Sequence, residues 1–340
     1  MVDYQIVGAI GSPYSRKLRA VLRYRRIPHV WIHQGTPEAA GLPEPRVALL
    51  PRLVVRADDG RLEALVDSTP LIRLLEARVP GRRSVVPSDP ALAFLDGLIE
   101  DFADEWLTKA MFHYRWTGEA DIAKASRILP RWAGSQQSDE RLEKAGRQFG
   151  ARQIGRLGVV GSNPQTAAVI ERSFVRLIDV LERHLARHRF VLGARPGAGD
   201  FGLYGQLTQL ALFDPTPMAI VLERAPRVFA WTDCVDDLSG VEPEAEGWLA
   251  RDALPETILA LLGEIGRGYA PFLLANAAAL DRGLASVECE IDGAPWRQAP
   301  FPYQGRCLAS LRADHRALSA SDRVAVDRAL AGTGCDALFA

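Results

Sequence analysis

No cysteine occurs before Cys234, and the four in the chain, Cys234, Cys289, Cys307 and Cys335, form no CxxC pair and no metal-ligand spacing with histidine. That pattern argues against a disulfide framework or a zinc site, and a reducing cytoplasm is the expected compartment. Charge of one sign is also missing: 41 Lys and Arg face 42 Asp and Glu, a net charge of −1. Nothing therefore pulls the chain as a whole toward nucleic acid or anionic lipid. No uncharged apolar run reaches 18 residues, and Met1 to Tyr4 carry neither a basic n-region nor an apolar h-region, so no membrane association is expected. Repeats and low-complexity tracts are absent too. What is present is the composition of a soluble globular protein of two or three domains: 340 residues, 48% hydrophobic and 24% charged.

The residue pattern is clearest near the start. Tyr4 to Ile10 reads as a buried strand and Gly11 as a turn. Pro13 then stands near the first position of a helix expected to run to about Arg25, since a missing N–H costs nothing there. Ile27-Pro28 breaks that helix and His29 to His33 reads as a second strand, parallel to the first with a right-handed crossover. The basic cluster Arg16, Lys17, Arg19, Arg23, Arg25 and Arg26 is read as a solvated helix face. After an irregular stretch from Thr36 to Leu49, two short strand-like runs, 51–56 and 61–66, flank the turn Asp58-Asp59-Gly60 and form a hairpin. Asp67-Ser68-Thr69-Pro70 then opens a helix, with Pro70 taken as its first residue.

Residues 80–90 form a linker, after which strand signals nearly vanish. Apolar residues at helical spacing, Leu95, Leu98, Ile99, Phe102, Trp106, Ala110 and Met111, predict a helix over 91–118, and further helices are expected over 165–187, 200–213 and 217–237. The last ninety residues are less legible. They suggest a helix from Pro255 to Leu280, an alternating run at Val287, Cys289 and Ile291, an aromatic and proline-rich patch from Trp296 to Tyr303, and a helix near 320–331.

A thioredoxin-like order (β-α-β-β-β-α), a short linker and an all-helical domain resembles the cytosolic glutathione transferase superfamily. The residues that carry the resemblance are Ser12-Pro13-Tyr14-Ser15 at the first helix, Leu50-Pro51 before the hairpin, Asp67-Ser68, and Arg195-Pro196-Gly197-Ala198-Gly199-Asp200-Phe201. It implies residues 1–80 as the glutathione-binding domain and 91–245 as an all-α domain. Residues 246–340 are then a C-terminal extension packed on the helical domain, for which the family provides no guide. It also implies glutathione as co-substrate, no metal, a hydrophobic small molecule as second substrate, a role in detoxification, and a homodimer formed through the first domain and the first long helices.

Carried onto this chain, the resemblance makes Leu50-Pro51 a cis peptide whose preceding backbone receives the cysteinyl part of glutathione. Asp67 and Ser68 hold the γ-glutamyl ammonium and carboxylate, the anion being suited to a helix N-terminus. The motif at residues 12–15 has serine where a redox protein needs a low-pKa cysteine. The site is thus of serine type, holding another molecule's thiol. Ser12 is the first choice for the hydroxyl that stabilises the thiolate, Ser15 the second and Tyr4 the third, although Ser12 as a simple helix cap is the bland alternative. The glycine carboxylate has no family-like anchor and falls to Arg46, or to His33 and Gln34. Trp106, Met111, Phe112, Tyr114, Arg115 and Trp116 are candidates for the electrophile pocket, with about two facing a ligand. The box at 195–201 has Gly197 where a cap hydroxyl is usual, which predicts a weaker helix start. Trp296 to Tyr303 either covers the pocket or buries a flank of the helical domain. Competing readings are a non-catalytic glutathione-binding or scaffold module and, less favoured, a thiol reductase using Cys234 or Cys307.

Overall fold

The computed structural model describes residues 4–57, 59–244 and 247–340. Met1 to Asp3, Asp58 of the expected hairpin turn and residues 245–246, where the second domain was to end, lie outside the described residues. The first unit follows the expected order: β1 (Tyr4–Gly8), α1 (Pro13–Tyr24), β2 (His29–His33), the short α2 (Pro37–Ala40), β3 (Arg52–Arg56), β4 (Leu62–Val66) and α3 (Ser68–Arg78). The sheet order is β2-β1-β3-β4. β1 runs parallel to β2, Tyr4 opposite His29, and antiparallel to β3, Tyr4 opposite Val55. The helix after the hairpin begins at Ser68, two residues before Pro70, because Asp67 turns the chain with a left-handed φ of 79°.

The second unit contains α4 (Pro90–Phe102), a π-helical turn (Ala103–Leu107), α5 (Thr108–Thr117), α6 (Glu119–Gly134), α7 (Asp139–Ile154), α8 (Ala167–Leu185) and α9 (Ala198–Leu210). It closes with α10 (Pro215–Arg224) and α11 (Pro226–Val235). The expected single helix over 217–237 is two, broken where Pro226 removes an N–H. The extension adds α12 (Glu256–Glu264), a second π-helical turn (Ile265–Tyr269), α13 (Ala270–Asp281), the hairpin β5 (Val287–Ile291) and β6 (Ala294–Gln298), α14 (Pro302–Ala317) and α15 (Ala320–Leu330). Residues 256–281 form one continuous helix long and apolar enough to cross a membrane, yet 56% of its most apolar window is buried inside the protein. Glu264, within that window's helix, pairs with Arg176 at 2.7 Å, as suits a core helix with one polar flank.

Two of the three hydrophobic clusters run across unit boundaries. Ile6, Leu53 and Leu75 of the first unit share one cluster with Phe201, Tyr204 and Val235 of the second. Leu95 and Phe174 share another with Phe272, Trp296 and Val326 of the extension. α1 packs against α9, where Gly205 allows a close approach: a Cβ there would lie 2.8 Å from the Pro13 carbonyl oxygen. That packing overturns the reading of α1 as a solvated basic face. Lys17 is completely buried, Arg19 and Arg25 nearly so, and Asp236 gathers Arg16, Arg19 and Arg23. Charge at this face is neutralised by partners from the helical unit, so its hydrophilic sequence is compatible with burial.

The helix after Gly197 is also capped more fully than its sequence suggests. Asp200 accepts from Gly197 N at 2.9 Å and from Val191 N at 2.8 Å. Asp96 of α4 accepts from Ala198 N at 2.9 Å and Gly199 N at 3.1 Å, filling the place of the missing cap hydroxyl from another helix.

Candidate functional site

A cleft of about 680 Å³ opens between the first unit, the α4–α5 helix and α14. That is ample for a tripeptide-sized ligand, within the usual range for small-molecule sites. One wall is built from Leu50, Asp67 and Ser68, which come from two separate chain reversals of the thioredoxin-like unit. The Leu50-Pro51 peptide is cis. Ser68 is the first residue of α3, so the free N–H groups of an 11-residue helix open at the same wall. Two chain segments, at Leu50 and at Asp67-Ser68, thus bring a backbone edge, a carboxylate and a helix N-terminus to one wall.

Neither Ser12 nor Ser15 borders the cleft, and the two take different positions. Ser12 is half-buried and caps α1, its Oγ accepting from Ser15 N at 3.3 Å. That bond uses an oxygen lone pair and leaves the hydroxyl proton free to donate. Ser15 is wholly buried and its Oγ accepts from Ala9 N at 3.3 Å, which holds the strand-to-helix turn. Tyr4 opens β1, at the end of the strand away from that turn. Tyr14, between the two serines, borders the cleft, donates to the Asp104 carbonyl at 2.9 Å and has the Thr108 hydroxyl at 3.2 Å.

Arg46 is exposed and His33 is half-buried, its ring edge-on to Trp31; neither borders the cleft, whereas Val47 and Leu49 of the same loop as Arg46 do. Gln34, next to His33, is exposed. Trp106, Met111 and Tyr114 belong to the core, and none lines the cleft. Phe112 and Trp116 stay outside the cleft lining as well. The π-helical turn at 103–107 shifts the register of the long helix, so a projection at 3.6 residues per turn does not place its faces. Arg115 is buried by Asp214, which it grips through Nε and Nη2, and donates from Nη1 to the Gly11 carbonyl at 3.0 Å. With Gln209 Nε2 on the Ile10 carbonyl at 3.2 Å, it fastens the loop that carries Ser12.

Facing the cleft instead are polar residues that periodicity had not marked. Glu105 and Asp101 stand on the long helix, where burial first and neighbouring acids second push their carboxyls up to about 8 and about 7. Tyr269 donates to Asp101 Oδ2 at 2.6 Å. Burial presses Lys109 down to about 7 against the opposing pull of the Glu105 carboxylate. Its ammonium lies over the Trp106, Phe272 and Trp296 rings and donates to Val160 O and Gln298 Oε1, both at 3.1 Å. Deeper between the units, Lys17 Nζ lies 2.5 Å from Asp104 Oδ2 and 2.6 Å from Glu100 Oε1.

The aromatic and proline-rich patch divides its work. Trp296 is buried against Trp106, with ring centres 5.4 Å apart, while Phe301 and Tyr303 border the cleft. The Tyr303 hydroxyl donates to Asp67 Oδ2 at 2.5 Å. The extension is therefore both a flank of the helical unit and a wall of the site.

Residues 6–83 match the description "Glutathione S-transferase, N-terminal domain", and residues 139–234 match "Glutathione S-transferase, C-terminal domain". The chain belongs to the glutathione transferase superfamily. Among solved structures, this superfamily member is similar to the beta-etherase LigF from Sphingobium sp. strain SYK-6, at 15% identity and a TM-score of 0.45 over 72% of this chain and 96% of that one. It is similar to a Tau class glutathione S-transferase from mango, Mangifera indica, at 17% identity and 0.43 over 76% and 95%. A third is a glutathione S-transferase of Methylobacterium radiotolerans in complex with glutathione sulfonate, at 18% identity and 0.41 over 73% and 98%. No curated protein matches the chain. Neither family description reaches the extension that supplies Tyr303.

Proposed function

We propose that this member of the glutathione transferase superfamily binds glutathione in the cleft and directs its thiolate at a small, largely hydrophobic electrophile. The observation that carries the reading is the meeting of the cis Leu50-Pro51 peptide, Asp67 and the Ser68 helix start on one wall. A zwitterionic γ-glutamyl group needs a carboxylate for its ammonium and a helix N-terminus for its carboxylate, and this wall offers both. In this reading Ser12 is the thiol-stabilising residue, donating the hydroxyl proton that capping leaves free. A thiol of pKa ~8.5 is mostly protonated at neutral pH, so each unit of depression favours the thiolate by ~1.4 kcal/mol. The reaction forms a carbon–sulfur bond, and the electrophile's displaced electron pair leaves with its leaving group or takes a proton. Conjugation of this kind is detoxification chemistry suited to the cytoplasm. The glycine carboxylate falls to Arg46, or to His33 and Gln34, none of which borders the cleft.

The electrophile sits, in this reading, in the half of the cleft bounded by Thr108, Val159 and Val160. A second reading, a glutathione-binding module without catalysis, draws on the position of Ser12 and Ser15 outside the cleft lining. Ultraviolet difference titration of bound glutathione across neutral pH, in wild type and Ser12→Ala, decides between them. A bound thiol well below free glutathione in pKa, restored upward by the substitution, supports the transferase. Binding with no shift supports the module, and no binding sinks the glutathione reading.

A further inference from the structure

Tyr303 lies beyond both stretches that match the family, yet its hydroxyl is the one side-chain hydrogen-bond partner of Asp67 among the described residues. Asp67 needs such a partner. It sits at φ 79°, in the left-handed region uncommon for residues other than glycine, and makes no side-chain bond to the start of α3. Nothing on its own element orients the carboxylate.

Tyr303, by contrast, is held by contacts independent of Asp67. The wholly buried Asn276 accepts from Phe301 N at 2.8 Å and donates to Phe301 O at 3.0 Å, clamping the turn that leads into α14. One residue after Tyr303, Gln304 Nε2 donates to the Glu105 carbonyl at 3.0 Å, and the Arg306 guanidinium covers the Tyr303 ring at 5.1 Å. The phenol is thus delivered to the cleft wall by a rigid support. A carboxylate has acceptor capacity on both oxygens, so a donor on Oδ2 leaves Oδ1 available for a second one.

We propose that Tyr303 is a glutathione-positioning residue: its hydroxyl fixes the Asp67 carboxylate so that Oδ1 is presented to the γ-glutamyl ammonium. The inference rests on the reading of Asp67 as that ammonium's partner. It makes the extension part of the recognition site and gives it a specific task, discrimination in favour of thiols that carry a γ-glutamyl group. The gain arises from preorganisation, because an unpinned carboxylate would have to be ordered when the ligand binds.

The test is calorimetric titration of wild type, Tyr303→Phe, Asp67→Asn and the double variant with glutathione and with cysteinylglycine, which lacks the γ-glutamyl group. Tyr303→Phe removes a single oxygen, and an unchanged affinity for cysteinylglycine certifies that the cleft is intact. Expected is a loss of about five- to tenfold in glutathione affinity, the scale of one hydrogen bond's net contribution, with cysteinylglycine unaffected. The double variant should bind glutathione no more weakly than Asp67→Asn alone. Equal losses for both ligands, an unchanged affinity for glutathione, or additive losses in the double variant overturn the positioning role. Tighter glutathione binding by Tyr303→Phe also overturns it, since the phenol would then compete with the ammonium. Wild type that binds no glutathione refutes the reading of the site itself, a result separable from all of these.

Discussion

A Cβ on Gly197 would lie 2.3 Å from Oδ1 of Asp96. The glycine at the head of α9 is therefore the condition for the Asp96 carboxylate to reach the first N–H groups of that helix, and the two residues act as one cap. Gly197→Ser, which restores the family's usual hydroxyl, should destabilise the protein by about 1–3 kcal/mol because the carboxylate is pushed off the helix end. Adding Asp96→Ala should recover part of that loss. Denaturant unfolding of the single and double variants checks it, and additive losses would refute the shared cap.

Lys17 joins the two units through a buried charge cluster. Removing the ammonium by Lys17→Met strands Glu100 and Asp104 without a counter-charge, at a cost of about 3–5 kcal/mol. Pairing it with Glu100→Gln and Asp104→Asn should return much of the loss, because neutral amides avoid the unpaired charge. Thermal unfolding of the single and triple variants measures the difference.

Stability should fall as pH rises from about 4 to about 7; above that Lys109, pressed down to about 7, sheds a proton that the unfolded chain keeps and opposes the trend. Burial raises Asp101 and Asp200 from 3.8 to about 7 and Glu105 from 4.5 to about 8. Within this window the folded state keeps protons that the unfolded state has released, so each unit of pH favours unfolding. Glu105→Gln should flatten the upper part of the slope. Urea midpoints across that range, for wild type and variant, give the answer, and an unchanged slope in the variant would exclude Glu105 as its source.

Assembly is expected to depart from the homodimer that the resemblance implies. From Ala91 onward no residue of α4 is exposed, because α9 covers one side and α14 and α15 cover another. Arg73 of α3 meets Asp314 of α14 at 3.4 Å on the same flank. The first long helix is covered along most of its length, with a strip at Gly97 and Asp101 opening on the cleft, and sedimentation should show a 37.2 kDa species. A concentration-independent dimer would show that the copies pair through another surface.

The sequence by itself determined the architecture of the first unit and the ligand motifs within it. Strand periods of two, the turn Asp59-Gly60, Pro13 at a helix start and Leu50-Pro51 are local signals, set within a few residues by backbone chemistry. Helices α6 and α7 gave no such signal: Pro130 interrupts one, and the other buries Gly146 and Gly150 in place of large apolar side chains. α14 was hidden likewise by a polar sequence that turns one narrow side inward at Cys307, Leu308 and Leu311. Only the tertiary structure decided which side of the long helix meets the cleft, since a π-helical turn moves the register there. It alone placed Lys17 among carboxylates, Asp96 at the head of α9 and Tyr303 on Asp67. Each of these is a contact between polar groups 87 to 236 residues apart. Long-range polar contacts leave no periodicity in the chain, because what makes burying a charge tolerable is the partner that folding brings beside it.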